Sequence, residues 1–268
     1  MQLELSTPFK QEWKNKDPFI EAEKLQGEVF RALEARKTLR FTLLGKSYFI
    51  KIHRGVGWFE IIENLLRLRL PVLGAANEYF AIKKLENLHI DTMKIAAYAL
   101  KGKNPARQQS FIITEDLINT ISLEDFCADW KNHVPDFELK YNLITKLAHV
   151  SRTLHNNGVN HRDYYICHFL LDISNELDFK NLKLSLIDLH RAQLRDRTPE
   201  RWCVKDIASL YFSVMDLGLK QRDFFRFMKL YNACPLRDCL TEYRDFWQKV
   251  EDQGQKLWQR KQRKGDAI

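Results

Sequence analysis

Four charged positions in this chain have the types and the order that phosphoryl transfer needs. His161-Arg162-Asp163 follows directly on a helix stop, and Leu186-Ile187-Asp188 puts a second acid at a strand end 25 residues later. One carboxylate can orient an acceptor hydroxyl and take its proton. The other can hold the Mg²⁺ that neutralises nucleotide phosphates. A lysine must also reach the phosphates, and an acid must position that lysine. Lys51 closes the strand-like Tyr48-Phe49-Ile50-Lys51, and Glu78 sits on the helix that follows. Taken singly these residues say little, because 35 acidic residues make a strand-end aspartate commonplace and a strand lysine is often a solvated edge charge.

The strands and helices that carry these residues can be read from local patterns. Residues 38–52 read as a β-hairpin turning at Leu44-Gly45-Lys46. Residues 75–88 read as a helix, with Ala75, Tyr79, Ile82 and Leu85 at three- and four-residue steps. Strands are expected at 92–100 and 110–115. After Asp116 the texture turns helical: Ser122 with Asp125 resembles a capping box. Leu143, Leu147, Val150 and Leu154 share a helix face that stops at Asn157-Gly158. Residues 169–171 are expected to pair with 182–187, and everything beyond about residue 200 reads as helix. The expectation is an α+β, bilobal protein-kinase-like fold. A β-rich N-lobe would cover 1–116 and a helical C-lobe 117–268, with the catalytic loop at 161–168. The order Lys51, Glu78, Asp163, Asp188 is that of the protein-kinase signature.

Composition narrows the class. The 268 residues are 45% hydrophobic, enough for a core, and no tract suggests a disordered arm or repeat. Five cysteines without a C-x-x-C read as free thiols, not a disulfide framework or zinc ribbon. A zinc reading of His161, Cys167 and His168 lacks a spaced fourth ligand. The opening MQLELSTPFK does not read as a signal peptide, and no apolar run approaches the roughly 20 residues of a membrane span. The chain is therefore expected to be cytoplasmic or peripheral. A net charge of +8 suits phosphorylated ligands, anionic lipid, nucleic acid or an acidic protein. The aromatics do not interleave with Lys/Arg in an RNA-binding motif, so no nucleic-acid partner is expected.

His161 through Phe169, together with Ile187-Asp188-Leu189-His190-Arg191-Ala192, resembles the lipopolysaccharide core heptose kinase family. So do Leu25 to Arg31, Lys46-Ser47-Tyr48-Phe49, Phe111 to Leu117 and the basic C-terminus. The resemblance covers nearly the whole chain. It implies an ATP-dependent kinase that phosphorylates O-4 of heptose I in the lipopolysaccharide inner core, with Mg²⁺. Its implied setting is cytoplasmic, peripheral on the inner face of the inner membrane, with acyl carrier protein as an associated partner. Asp163 would be the catalytic aspartate, with His161 and Arg162 in the same catalytic motif. Asp188 would be the magnesium ligand, and Lys51 and Glu78 the phosphate-positioning pair. Gly27 would lie in the loop over the nucleotide. Residues 113–117, with Glu115 and Leu117, would form the adenine-reading hinge. Asp206 would brace the catalytic loop, and Arg162 would anchor it.

The departures from ordinary protein kinases are specific. No G-x-G-x-x-G is present, Asp188 is followed by Leu189-His190, and no A-P-E follows. His168 stands where the catalytic loop normally has a magnesium-binding asparagine. It is a candidate to ligate metal, to donate to a phosphate or to hydrogen-bond the loop, and the oxygen preference of magnesium favours the last two. Three other readings stay open: a related kinase for another sugar, an aminoglycoside or a protein; a pseudokinase-like binding module; and a nucleic-acid binder resting on charge alone. A segment inserted at 54–71 has an amphipathic stretch at 58–70, with Trp58, Ile61, Ile62, Leu65, Leu66 and Arg69 at helical steps. It either packs as ordinary core or docks on a membrane or acyl-bearing partner.

Overall fold

The computed structural model describes residues 1–33, 35–66 and 73–265. The chain divides into two compact units. The first comprises Met1–Lys84, Met93–Ile118 and Leu189–Arg191; the second comprises Leu85–Thr92, Asn119–Asp188 and the chain from Ala192 onward. The expected division at 116/117 stands beside an observed passage from first to second unit after Ile118.

In the first unit β1 (Gln2–Leu5), α1 (Thr7–Glu12) and α2 (Pro18–Lys24) precede β2 (Glu28–Leu33), β3 (Arg36–Leu43) and β4 (Lys46–His53). Then come α3 (Gly57–Leu66), α4 (Ala76–Asn87), β5 (Ile95–Lys101) and β6 (Gln109–Glu115). The strands form one antiparallel sheet in the order β1-β5-β6-β4-β3-β2. The hairpin turns at Leu44-Gly45, both at positive φ, as a two-residue turn matched to strand twist requires. Alternation does the sorting. Leu39, Phe41, Tyr48, Ile50 and Ile52 face a core completed by Phe9, Trp13, Phe111 and Ile113. Phe9 meets Trp13, Phe41 and Tyr48 edge-on at 5.1–6.3 Å. Lys51, between two core isoleucines, therefore projects from the opposite face.

The second unit begins with β7 (Thr120–Ser122) and α5 (Leu123–Cys127), where the Ser122 hydroxyl accepts from the Asp125 amide at 3.1 Å. The long α6 (Phe137–Asn156) is capped by Asp136, which accepts from Glu138 and Leu139. It buries Leu143, Leu147, Val150 and Leu154. It ends before Gly158 at φ +78, where a Cβ would stand 1.7 Å from the Arg195 carbonyl oxygen, so only glycine fits. β8 (Val159–Asn160) pairs with β11 (Gln193–Leu194). β9 (Phe169–Asp172) lies between β10 (Leu184–Leu186) and β7. Helices α7 (Glu200–Val214), α8 (Gln221–Asn232), α9 (Leu236–Thr241) and α10 (Arg244–Gly265) complete it, α7 packing on α10 and α6 on α8. No helix among the described residues is long and apolar enough to cross a membrane.

Helix α3 bears on the choice posed for 58–70. Ile61 is buried with Val56, Ala106 and Leu73 in a small cluster apart from the main core. Trp58, Phe59, Ile62 and Leu66 are 55%, 83%, 53% and 80% exposed. Most of the apolar face is thus uncovered. Residues 67–72, including Arg67 and Arg69, and the Leu65 side chain lie outside what is described.

Candidate active site

In the first unit the Lys51 ammonium meets Glu78 Oε1 at 2.8 Å. The Glu78 side chain is almost wholly buried, and its Oε2 has no hydrogen-bond partner among the described residues. Its neighbour on α4, Asn77, donates from Nδ2 to the carbonyl of His190, two residues past Asp188, at 2.9 Å. His53, buried at the end of β4, is pushed down to about 4 by burial and by the charges of Arg36 and Lys51, so it stays neutral.

In the second unit the loop after β8 is held from below by Asp206 of α7, which is fully buried. Its Oδ2 accepts the His161 amide at 2.6 Å and its Oδ1 the Arg162 amide at 2.9 Å. Arg162 adopts φ +76, a left-handed conformation that this carboxylate grip stabilises. His161 is itself fully buried. Its Nε2–H donates to the Ile187 carbonyl at 2.9 Å, and burial holds its pKa below the usual value. This neutral imidazole is sealed from solvent and ties the loop before Asp163 to the Ile187 carbonyl.

Past the aspartate, His168 Nδ1–H donates to the Asp163 carbonyl at 2.7 Å, and the Ile187 amide donates to the His168 carbonyl at 2.9 Å. The two histidines thereby clamp the loop bearing Asp163 to the strand end bearing Asp188. Asp188 sits at φ +61 with its carboxylate a third exposed, 3.8 Å from His168 Nε2. Burial works against a charged His168. Cys167, the Asp163 carbonyl and the Asp188 charge outweigh it and bring its pKa up to about 9.

The remaining sequence candidates are placed less simply. Gly27 precedes β2, away from the β2–β3 turn, and a Cβ there would stand 1.9 Å from the Arg40 carbonyl oxygen. That close approach of the strands requires a glycine here. Glu115 ends β6, pairs with Lys46 at 2.6 Å and donates its amide to Lys94, and the Asp116 amide is committed to Ser47. The Glu115 amide is therefore spent within the protein; Leu117 follows it, before the passage to the second unit.

Sequence reasoning missed the layer behind the loop. His155, on the buried face of α6, meets Asp206 at 3.4 Å and the Tyr231 hydroxyl at 2.8 Å. A histidine in the last turn of α6, next to the core residue Leu154, was the available signal.

A strand lysine clasped by a helix glutamate, and an aspartate loop braced by a buried acid, are what protein-kinase-like phosphotransferases are built on. Comparison with known proteins agrees. Residues 21–231 match the model of the lipopolysaccharide kinase (Kdo/WaaP) family. The chain is 53% identical to the lipopolysaccharide core heptose(I) kinase WaaP of Escherichia coli, over 98% of this chain and 99% of that one. It is 48% identical to the protein of the same name from Pseudomonas aeruginosa, over the full length of both. A solved structure of WaaP in complex with acyl carrier protein superposes with a TM-score of 0.86 at 44% identity, covering 96% of this chain and all of that one. The chain belongs to the lipopolysaccharide kinase (Kdo/WaaP) family, and it is a kinase.

Proposed function

We propose that this kinase transfers the γ-phosphoryl group of ATP to O-4 of heptose I in the lipopolysaccharide inner core. The observation that supports this most is end-to-end similarity to curated heptose(I) kinases at about half identity. Asp163 orients the acceptor hydroxyl and takes its proton as the phosphoryl group is transferred. Asp206, His161 and His168 hold Asp163 in register, so little reorganisation remains when substrate arrives. Lys51, kept extended by Glu78, contacts the nucleotide phosphates.

The residues suit a magnesium ion. The partly exposed Asp188 carboxylate is the hard oxygen donor that Mg²⁺ prefers. His168 spends Nδ1 on the Asp163 carbonyl, leaving Nε2 beside Asp188, where it donates to a phosphate or a metal-bound water. When bound, Mg²⁺ neutralises charge on the nucleotide phosphates.

The same reading puts the enzyme at the inner face of the cytoplasmic membrane, where a lipid-anchored sugar is presented. The uncovered Trp58, Phe59, Ile62 and Leu66 suit shallow insertion into a lipid surface. The Gly57 amide is bonded to the Ala106 carbonyl, in a loop that also carries the exposed Lys103 and Arg107, cations suited to anionic headgroups. Acyl carrier protein, an acidic acyl-bearing protein, is the proposed soluble partner of this basic chain.

Mass spectrometry of core sugars from cells with and without the protein tests the assignment. Loss of one phosphate on heptose I, restored by wild type and not by Asp163→Asn, is expected. An unchanged core would overturn it.

A further inference from the structure

Four cations of the second unit gather around one indole. The guanidinium carbons of Arg162, Arg195 and Arg201 lie 5.6, 5.7 and 5.5 Å from the centre of the Trp202 ring, and the Lys205 ammonium lies 4.3 Å away. They come from three places in the chain. Arg162 directly precedes Asp163. Arg195 follows β11. Arg201 and Lys205 are one turn apart at the start of α7.

The acids nearest Arg195, Arg201 and Lys205 are engaged elsewhere. Asp206, the acid beneath them, is fully buried and already accepts from the His161 and Arg162 amides and meets His155. Arg195 donates to the side-chain oxygens of Asn160 and Gln193, which fix its fork without neutralising it. Burial and the charge of Arg201 press the Arg195 pKa down, against a smaller opposing pull from the Asp206 charge. Arg201 and Lys205 make no ion pair among the described residues, and Glu200 beside them is taken by Lys249. The α7 N-terminus has Pro199 as its cap, with no side-chain acceptor, so its partial positive charge adds to the same place. The Trp202 Nε1–H is buried with no acceptor among the described residues. Cation–π contact with one ring offsets only part of the repulsion among Arg195, Arg201 and Lys205.

We propose that the Arg162, Arg195, Arg201 and Lys205 cluster about Trp202 is an oxyanion site beside the catalytic aspartate that binds an acidic group of the acceptor glycan. This rests on the acceptor reading above. The phosphorylated hydroxyl belongs to a neutral sugar, so a carboxylate on a neighbouring sugar would give the enzyme its handle. Guanidinium forks suit carboxylate and phosphate alike.

The test is an Arg201→Gln/Lys205→Gln double variant of the full-length enzyme. It is assayed on an inner-core oligosaccharide and on the same oligosaccharide with its carboxyl groups reduced to alcohols. Wild type should favour the acidic acceptor, and the variant should lose roughly tenfold or more of kcat/KM on it, with KM for ATP unchanged. Inorganic phosphate should perturb tryptophan fluorescence in wild type and do so only weakly in the variant. An equal loss on both acceptors, or a rise in KM for ATP alone, would overturn the proposal. If wild type phosphorylates no sugar while phosphate binding still requires the pair, the acceptor reading fails and the anion site stands.

Discussion

Lys51 and Glu78, 27 residues apart, are joined by a 2.8 Å ion pair in which the acid is buried and the lysine only partly so. Removing one partner of such a pair leaves a charge without compensation. Lys51→Met should therefore cost about 3–5 kcal/mol in stability, besides weakening phosphate positioning. Glu78→Gln, which keeps the shape, should unfold closer to wild type yet lose activity. Denaturant titration with ATP kinetics separates the two effects. Equal stability of Lys51→Met and wild type would remove the pair from the account.

Asp163→Asn is nearly isosteric and leaves the backbone bonds to Tyr165 and His168 intact. Its melting temperature should match wild type while kcat falls by roughly 10²–10⁴. Undiminished turnover would exclude Asp163 as the base.

Asp188→Ala should abolish the Mg²⁺-dependent part of the protection that ATP gives against thermal unfolding. This is read by a melting shift with and without Mg²⁺, and needs no turnover. Protection that survives in the variant would place the metal elsewhere.

The His155–Asp206 contact gives a pH signature. Burial alone would lower the His155 pKa, but hydrogen bonds to Asp206 and Cys203 and the charges of both together outweigh it and bring it to about 9, from an ordinary value of 6.5. A pKa raised on folding means stabilisation fully present below about 6.5 and lost as pH climbs through about 9. The gap in melting temperature between wild type and His155→Gln should hold near pH 6 and shrink by pH 10. A gap independent of pH would mean that the imidazole is neutral throughout.

Replacing Trp58, Ile62 and Leu66 with serine should lower sedimentation with anionic vesicles and activity on membrane-embedded acceptor. The melting temperature should hardly move, since these side chains are more than half exposed. A large drop in melting temperature with unchanged vesicle binding would show that the face is covered by protein.

The order and the seats of the charged residues are written in the chain. Period-two alternation placed Lys51 opposite Ile50 and Ile52, and the Asn157-Gly158 stop placed His161-Arg162-Asp163 at the mouth of a loop. Both signals are local, written within a few residues. What distant segments do to one another emerges only on folding. It seats Gly27 against Arg40, commits the Glu115 amide to Lys94, seals His161 from solvent and joins His155 to Tyr231. The repeat of apolar residues at 58–66 announces an amphipathic helix. Which face is covered depends on Val56, Leu73 and Ala106, and helical periodicity says nothing of partners so far along the chain. Arg162, Arg195 and Arg201 look unrelated in sequence, because only the folding of β8, β11 and α7 brings their charges to one ring.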